Sequence, residues 1–200
     1  MIDTIIFDFG DIFINLDKQA PITKFKQLGL TEWNAELDNL NIQFEIGAIS
    51  AATFLEGFQK QMPNASIEAI REAWNAVLLD FPQYRLDFLQ TLSQKYRLFL
   101  LSNTDSIHIE TFEKKVGEPF YKAFYECFEK VYFSFDMGLR KPDPEIYKQL
   151  LHNHQLSPER TLFVDDRTDN TDSAKSLGIQ VWNLQVGKED VTELLEKNRI

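Results

Sequence analysis

Five short apolar runs punctuate the chain, at Thr4–Phe7, Arg97–Leu101, Val131–Phe135, Thr161–Val164 and Gln180–Leu184. None alternates cleanly with polar residues, which is the pattern of strands buried on both faces of a sheet. Between the runs, apolar positions recur at helical spacing. Leu86, Leu89 and Leu92 predict a helix over 84–94, Pro144 sits in the first turn of another over 144–153, and a third over 170–177 stops at Gly178. Strand alternating with helix predicts an α/β fold, a Rossmann-like parallel sheet flanked by helices.

The interval between the first two runs breaks this rhythm, because it far exceeds the dozen or so residues that a crossover needs. Residues 16–83 are therefore expected to form an inserted helical subdomain, leaving 1–15 and 84–200 as the α/β core. Within the insertion Thr31 and Ser50 are placed to cap helices, and Ser66 opens a longer one through Leu79 that Phe81-Pro82 stops. Its aromatic residues, Phe25, Trp33, Phe44, Phe54, Phe58 and Trp74, are expected to pack a small helical core rather than a stacking surface for substrate. The charged stretch Lys188 to Arg199 reads as an amphipathic helix burying Val191, Leu194 and Leu195.

Composition narrows the function. A chain of 200 residues, 44% hydrophobic and 26% charged, is long enough for a sizeable core plus an insertion. A net charge of -10 repels nucleic-acid backbones and anionic lipid surfaces, so neither is an expected partner. Cys127 is the only cysteine, which excludes an internal disulfide and fits a reducing, cytoplasmic setting, and no cluster of Cys and His resembles a structural zinc site. No leader or membrane-spanning run is expected. The oligomeric state is not legible. His108, His152 and His154 show no ligand spacing and read as surface residues.

In an open parallel sheet, ligands bind outside the carboxyl ends of the strands. Four of the five ends carry suitable groups: Asp8-Phe9-Gly10-Asp11 after the first, Ser102-Asn103-Thr104-Asp105 after the second, Arg140-Lys141-Pro142 beyond the third, and Asp165-Asp166 after the fourth. Singly, each is an ordinary cap, turn or surface lysine. Together they would gather three carboxylates, a hydroxyl and an ammonium at one point, an oxygen-rich setting that suits Mg²⁺.

In order and spacing, Ile6-Phe7-Asp8-Phe9-Gly10, Leu101-Ser102-Asn103-Thr104, Gly138-Leu139-Arg140-Lys141-Pro142-Asp143-Pro144 and Phe163-Val164-Asp165-Asp166 resemble the four motifs of the haloacid dehalogenase superfamily, most of whose members are phosphatases. The resemblance spans residues 5 to 178, and the helical insertion falls where that family places one type of cap. It implies a Mg²⁺-dependent phosphatase of small phosphate esters, sugar phosphates among them. Asp8 would be the nucleophile, forming an aspartyl-phosphate that water hydrolyses. Asp8, the Gly10 carbonyl and Asp166 would hold the metal, with Asp165 ligating directly or through water. Ser102 and the backbone N–H of Asn103 would bind the phosphoryl group, Lys141 would neutralise charge on both that group and Asp8, and Asn170 would support the metal site from behind.

One position departs from the pattern. Phosphatases of this superfamily generally carry a second aspartate two residues after the nucleophile as general acid and base, and here that residue is Gly10. Asp11 is the possible stand-in, although in extended chain it would face the opposite side. Two alternatives stay open: a 2-haloacid dehalogenase, which Asp165-Asp166 disfavour by repelling an anionic haloacid, and a non-catalytic phosphate-ligand-binding protein.

Overall fold

The computed structural model describes residues 1–196. Strand β1 (Thr4–Phe7) is followed by α1 (Ala20–Gln27), α2 (Ala35–Glu45), α3 (Ala51–Gln61), α4 (Ile67–Asn75) and α5 (Gln83–Ser93) before β2 (Arg97–Ser102). Helices α6 (Ser106–Val116) and α7 (Glu118–Tyr125) lead to β3 (Lys130–Phe133), and a short α8 (Ser134–Met137) and α9 (Pro144–His154) lead to β4 (Thr161–Asp165). Helix α10 (Thr168–Ser176) connects to β5 (Gln180–Asn183). The strands make a parallel sheet in the order β3-β2-β1-β4-β5.

Successive residues of a strand point to opposite faces, and the apolar runs divide accordingly. Ile5, Phe7, Leu98, Leu100, Leu162 and Val164 pack with residues of α5, α6 and α7, whereas Ile6, Phe99, Leu101 and Phe163 pack with Ile146, Tyr147, Leu150 and Ala174 of α9 and α10. The central strands are buried on both sides for this reason. The expectation fails for β3, whose residues are exposed or half-buried because it is a sheet edge. That strand also ends at Phe133 rather than 135: Ser134 turns into α8, and its hydroxyl exchanges hydrogen bonds with the backbone of Thr104 at 3.0 Å each.

Helices α1 to α4 enclose a separate cluster that contains Phe25, Leu37, Phe44, Phe54, Phe58, Ile70 and Trp74, with Trp33 against it. Ser50 and Ser66 cap α3 and α4 as expected, each hydroxyl accepting a backbone N–H at 3.1 Å. The cap of α2 is Asn34 and not Thr31, since Asn34 has the extended backbone that lets its carbonyl accept from Glu36 and Leu37. Helix α4 ends at Asn75, a turn short of Leu79. Residues 77–80 instead pair with 15–17, through Asp17 N to Val77 O at 2.9 Å, Leu79 N to Asn15 O at 3.0 Å and Asn15 N to Asp80 O at 2.9 Å. The chain thus leaves and re-enters the sheet region through two adjacent segments, and Phe81 already packs on the sheet's own cluster.

Near the C-terminus the expected amphipathic helix is a 3₁₀ turn, Val191–Leu194, closed by a capping box from Asp190 and Glu193. Val191 and Leu194 are buried, but Leu195 is 40% exposed. Positions 197–199 of that expected helix lie outside the described residues. Arg85 of α5 holds Asp190 at 2.9 Å. No helix among the described residues is long and apolar enough to cross a membrane.

Candidate active site

Asp8 continues β1 beyond its last strand residue, its N–H donating to Val164 O at 2.9 Å. Phe7 lies opposite Val164, so Asp8 and Asp165 leave the sheet at one level. Chain progression reverses on either side of β1, which makes this edge a topological switch point where crevices open in such sheets. Carboxylate oxygens of Asp8, Asp165 and Asp166 all lie within 4.8 Å of one another.

Between the first two of these stands Lys141, 1% exposed, its Nζ 2.7 Å from Asp8 Oδ1 and 2.7 Å from Asp165 Oδ2. Burial pushes the Asp8 carboxyl up to about 7; Lys141 pulls it down and Asp165 pushes it up again. Burial also disfavours the Lys141 ammonium, but Asp165 and Asp8 outweigh that and hold its pKa above the ordinary value. Three clustered carboxylates against this one buried ammonium leave surplus negative charge on oxygen donors alone. Such a donor set fits a hard divalent cation such as Mg²⁺, which would relieve the strain on Asp8.

The surrounding residues fix this arrangement. The phosphoryl contact expected of Asn103 is its backbone N–H, and its side-chain amide holds Lys141: Nδ2 donates to Lys141 O at 2.8 Å and Oδ1 accepts from Lys141 N at 2.9 Å. Asp165 is fully buried, and both of its oxygens are engaged. Oδ1 accepts from Arg167 N at 2.8 Å and Asn170 Nδ2 at 3.1 Å, while Oδ2 accepts from Asn170 Nδ2 at 3.0 Å and Lys141. Asp165 is thus arranged to orient Lys141, within the same group of carboxylates as Asp8 and Asp166. Asn170 lies behind the site, as its position in the sequence suggests. Ser102 ends β2, is 2% exposed and lines the adjoining cavity with Gly10.

Asp11 has a left-handed backbone, φ 58°, a turn that returns its side chain to the site's rim. There Oδ1 accepts from Leu16 N at 3.1 Å and Oδ2 pairs with Lys18 Nζ at 2.7 Å; the same ammonium is 2.9 Å from Asp166 Oδ2. Both oxygens of the possible stand-in are therefore occupied. Lys18 gave no signal in the sequence, where it resembles any exposed lysine after a strand.

The sequence reading also missed a cluster between the inserted helices and α6. His108, expected at the surface, has Nδ1 3.0 Å from Asp105 Oδ2 and Nε2 3.2 Å from Trp74 O, and stacks on Trp74 at 5.1 Å with planes 5° apart. Trp74 Nε1 donates to Asp105 Oδ2 at 3.0 Å. With acceptors at both nitrogens the imidazolium is favoured: burial opposes it, but Asp105 prevails and the His108 pKa is raised. The capping position of Asp105, three residues ahead, was the available signal. His154 is likewise half-buried, 2.7 Å from Tyr132 Oη and packed on Phe99, because α9 lays it over the sheet edge; His152 alone is exposed as expected. From α2, Glu45 reaches Arg140 at 2.8 Å, and burial raises its carboxyl despite that cation.

The chain matches the family model described as haloacid dehalogenase-like hydrolase over residues 5–184. It is 28% identical over 204 residues to the D-ribitol-5-phosphate phosphatase of Bacteroides thetaiotaomicron, covering 97% of each chain. A HAD family enzyme from Bacteroides thetaiotaomicron, solved in complex with magnesium and inorganic phosphate, superposes with a TM-score of 0.84 at 36% identity, over 94% of this chain and 97% of the other. A HAD-like family hydrolase from Porphyromonas gingivalis gives a TM-score of 0.88 at 28% identity, over 100% of this chain and 99% of that one.

Proposed function

The chain belongs to the haloacid dehalogenase-like hydrolases, and from that premise we propose that it is a Mg²⁺-dependent phosphatase of small sugar or polyol phosphates, with Asp8 as nucleophile. The observation that carries this reading is Lys141 held between Asp8 and Asp165 at 2.7 Å from each, with Asp166 alongside.

Asp8, Asp166 and the Gly10 carbonyl would hold the metal, which when bound supplies positive charge to the phosphoryl oxygens and keeps Asp8 ionised. An Asp8 carboxylate oxygen forms a bond to phosphorus as the bond to the leaving oxygen breaks in line. Lys141 already faces Asp8, so its charge is in place where negative charge develops and needs no reorganisation. Water then attacks the aspartyl-phosphate, releasing inorganic phosphate and restoring the Asp8 carboxylate. Ser102, at the end of the neighbouring strand, is suited to donate to a phosphoryl oxygen. Residues 16–83 act as a cap that covers the leaving group, and Asn170 supports Asp165.

Protonation of the leaving oxygen falls to water or to the substrate itself, because Gly10 offers no carboxyl and Asp11 is tied to Lys18 and Leu16. A 2-haloacid fits less well, since its carboxylate would approach Asp165 and Asp166. The test is hydrolysis of an aryl phosphate and of D-ribitol 5-phosphate with Mg²⁺, with EDTA, and with Asp8→Asn. Turnover should vanish in the last two; full activity of Asp8→Asn would refute the nucleophile assignment.

A further inference from the structure

Beside Ser102 and Gly10, the inserted helices and α6 enclose a cavity of about 190 Å³ lined by Asn41, Glu45, Trp74, Asp105 and His108 among others. It is smaller than the ~300–1,000 Å³ typical of drug-sized ligand sites, so what fills it is small.

Its charges are spent internally. Asp105 pairs with His108 at 3.0 Å, and Glu45 pairs with Arg140 at 2.8 Å. His108 is the one cationic residue among the described residues that line the cavity, and both of its nitrogens are taken, as is the indole N–H of Trp74. The buried side-chain atoms of the wall that lack a hydrogen bond are acceptors. Asn41 Oδ1 is buried without a hydrogen bond, and Glu45 Oε2 is buried with only its ion-pair contact to Arg140. Buried acceptors lacking donors are unfavourable, and a ligand that supplies hydroxyl protons relieves them. A second phosphate or a carboxylate supplies none and would be a buried anion with no free cation to meet it.

We infer that Asn41 and Glu45, one turn apart on α2, are the specificity-determining pair: they accept hydrogen bonds from the hydroxyls of an uncharged polyol leaving group, and their wall rejects substrates bearing a second anionic group. This rests on the phosphatase reading above and sharpens its substrate class. Asn41 and Glu45 act on selectivity, while the bond-breaking groups lie at the strand ends.

The experiment compares kcat/KM of the Mg²⁺-loaded protein for D-ribitol 5-phosphate, a pentose bisphosphate, 2-phosphoglycolate and an aryl phosphate. The polyol phosphate should exceed both substrates with a second anion by about a hundredfold, the scale set by an unpaired buried charge. Asn41→Ala should lower the ratio of polyol to aryl kcat/KM by about tenfold, through KM, the size of one lost hydrogen bond. Glu45→Gln should do the same and also raise relative turnover of 2-phosphoglycolate, because it frees Arg140. Equal losses for polyol and aryl esters in both variants would mean a structural role and overturn the inference. The wild-type panel tests the charge selection without any variant: equal turnover of the bisphosphate and the polyol phosphate would overturn it while leaving the phosphatase reading intact. Failure to hydrolyse any ester would overturn that reading, and this one with it.

Discussion

Lys141 Nζ stands 2.7 Å from Asp8 Oδ1 and is 1% exposed, an ammonium sealed beside a carboxylate whose pKa burial raises to about 7. The pair joins residues 133 positions apart, and Asp165 completes it from the neighbouring strand.

Removing that ammonium should therefore damage both stability and turnover. Lys141→Met leaves two buried carboxylates without their cation, a loss of ~3–5 kcal/mol on the scale of broken buried pairs. Thermal melting should fall accordingly and phosphatase activity should drop to background. Lys141→Arg should not rescue activity, since a planar guanidinium cannot take the place of a compact ammonium in a fully enclosed site. Melting and kcat together check this.

Metal affinity should depend on pH through Asp8. Its folded-state pKa is raised, so the stability linked to its protonated form is fully present below 3.8 and is lost as pH rises through about 7. The metal-free protein should melt progressively lower across that window, and added Mg²⁺ should restore most of the difference at pH 8. Titrated calorimetrically, Mg²⁺ affinity should climb as pH rises toward about 7 and level off above it, because the ligand must be deprotonated. An affinity flat from pH 5 to 8 would remove Asp8 from the ligand set.

The pair between α6 and the inserted helices should show the same sign, with stability again lost as pH rises. The pKa of His108 is raised above 6.5, burial opposing and Asp105 prevailing, with Trp74 O and Glu45 also facing the ring. Its contribution to stability is therefore fully present below pH 6.5 and is lost as pH rises through the folded-state value. The difference in melting temperature between wild type and His108→Gln should be largest near pH 6 and shrink toward pH 9. A difference that grows with pH would show that the imidazole is held neutral.

Gly10 offers a gain-of-function test. A Cβ built there meets Leu16 Cδ1 at 2.8 Å, the far end of a flexible side chain, and no positive φ demands glycine. Gly10→Asp alone should be hampered by Leu16, whereas Gly10→Asp with Leu16→Ala places a carboxyl two residues beyond the nucleophile. A positioned acid is worth about 10²–10⁴ in rate, and the gain should appear for alkyl phosphates with poor leaving groups far more than for aryl phosphates. Equal effects on both would show that leaving-group protonation does not limit turnover.

What the sequence determined by itself is local and periodic. Unbroken apolar runs mark β1, β2 and β4 because a strand covered by helices on both faces has no polar side to alternate with. Ser50, Ser66, Pro144 and Gly178 mark helix ends because capping chemistry acts within a turn. The ordered groups at Asp8, Ser102, Lys141 and Asp165-Asp166 were legible for the same reason: each ends or follows a strand, and parallel strands bring their carboxyl ends to one edge.

Tertiary structure decided which atom meets which. Nothing in the sequence shows that the Asn103 side-chain amide closes on the Lys141 backbone, or that Arg167, Asn170 and Lys141 share the oxygens of Asp165. His108 reads as a surface residue because nothing nearby in sequence announces Trp74, 34 positions away. Lys18 reaches Asp166 across 148 positions. Such contacts have no periodicity and no spacing rule; those of His108 and Lys18 exist because the inserted segment returns over the strand ends, the others because the loops after the strands meet there, and burial changes what each charge is able to do.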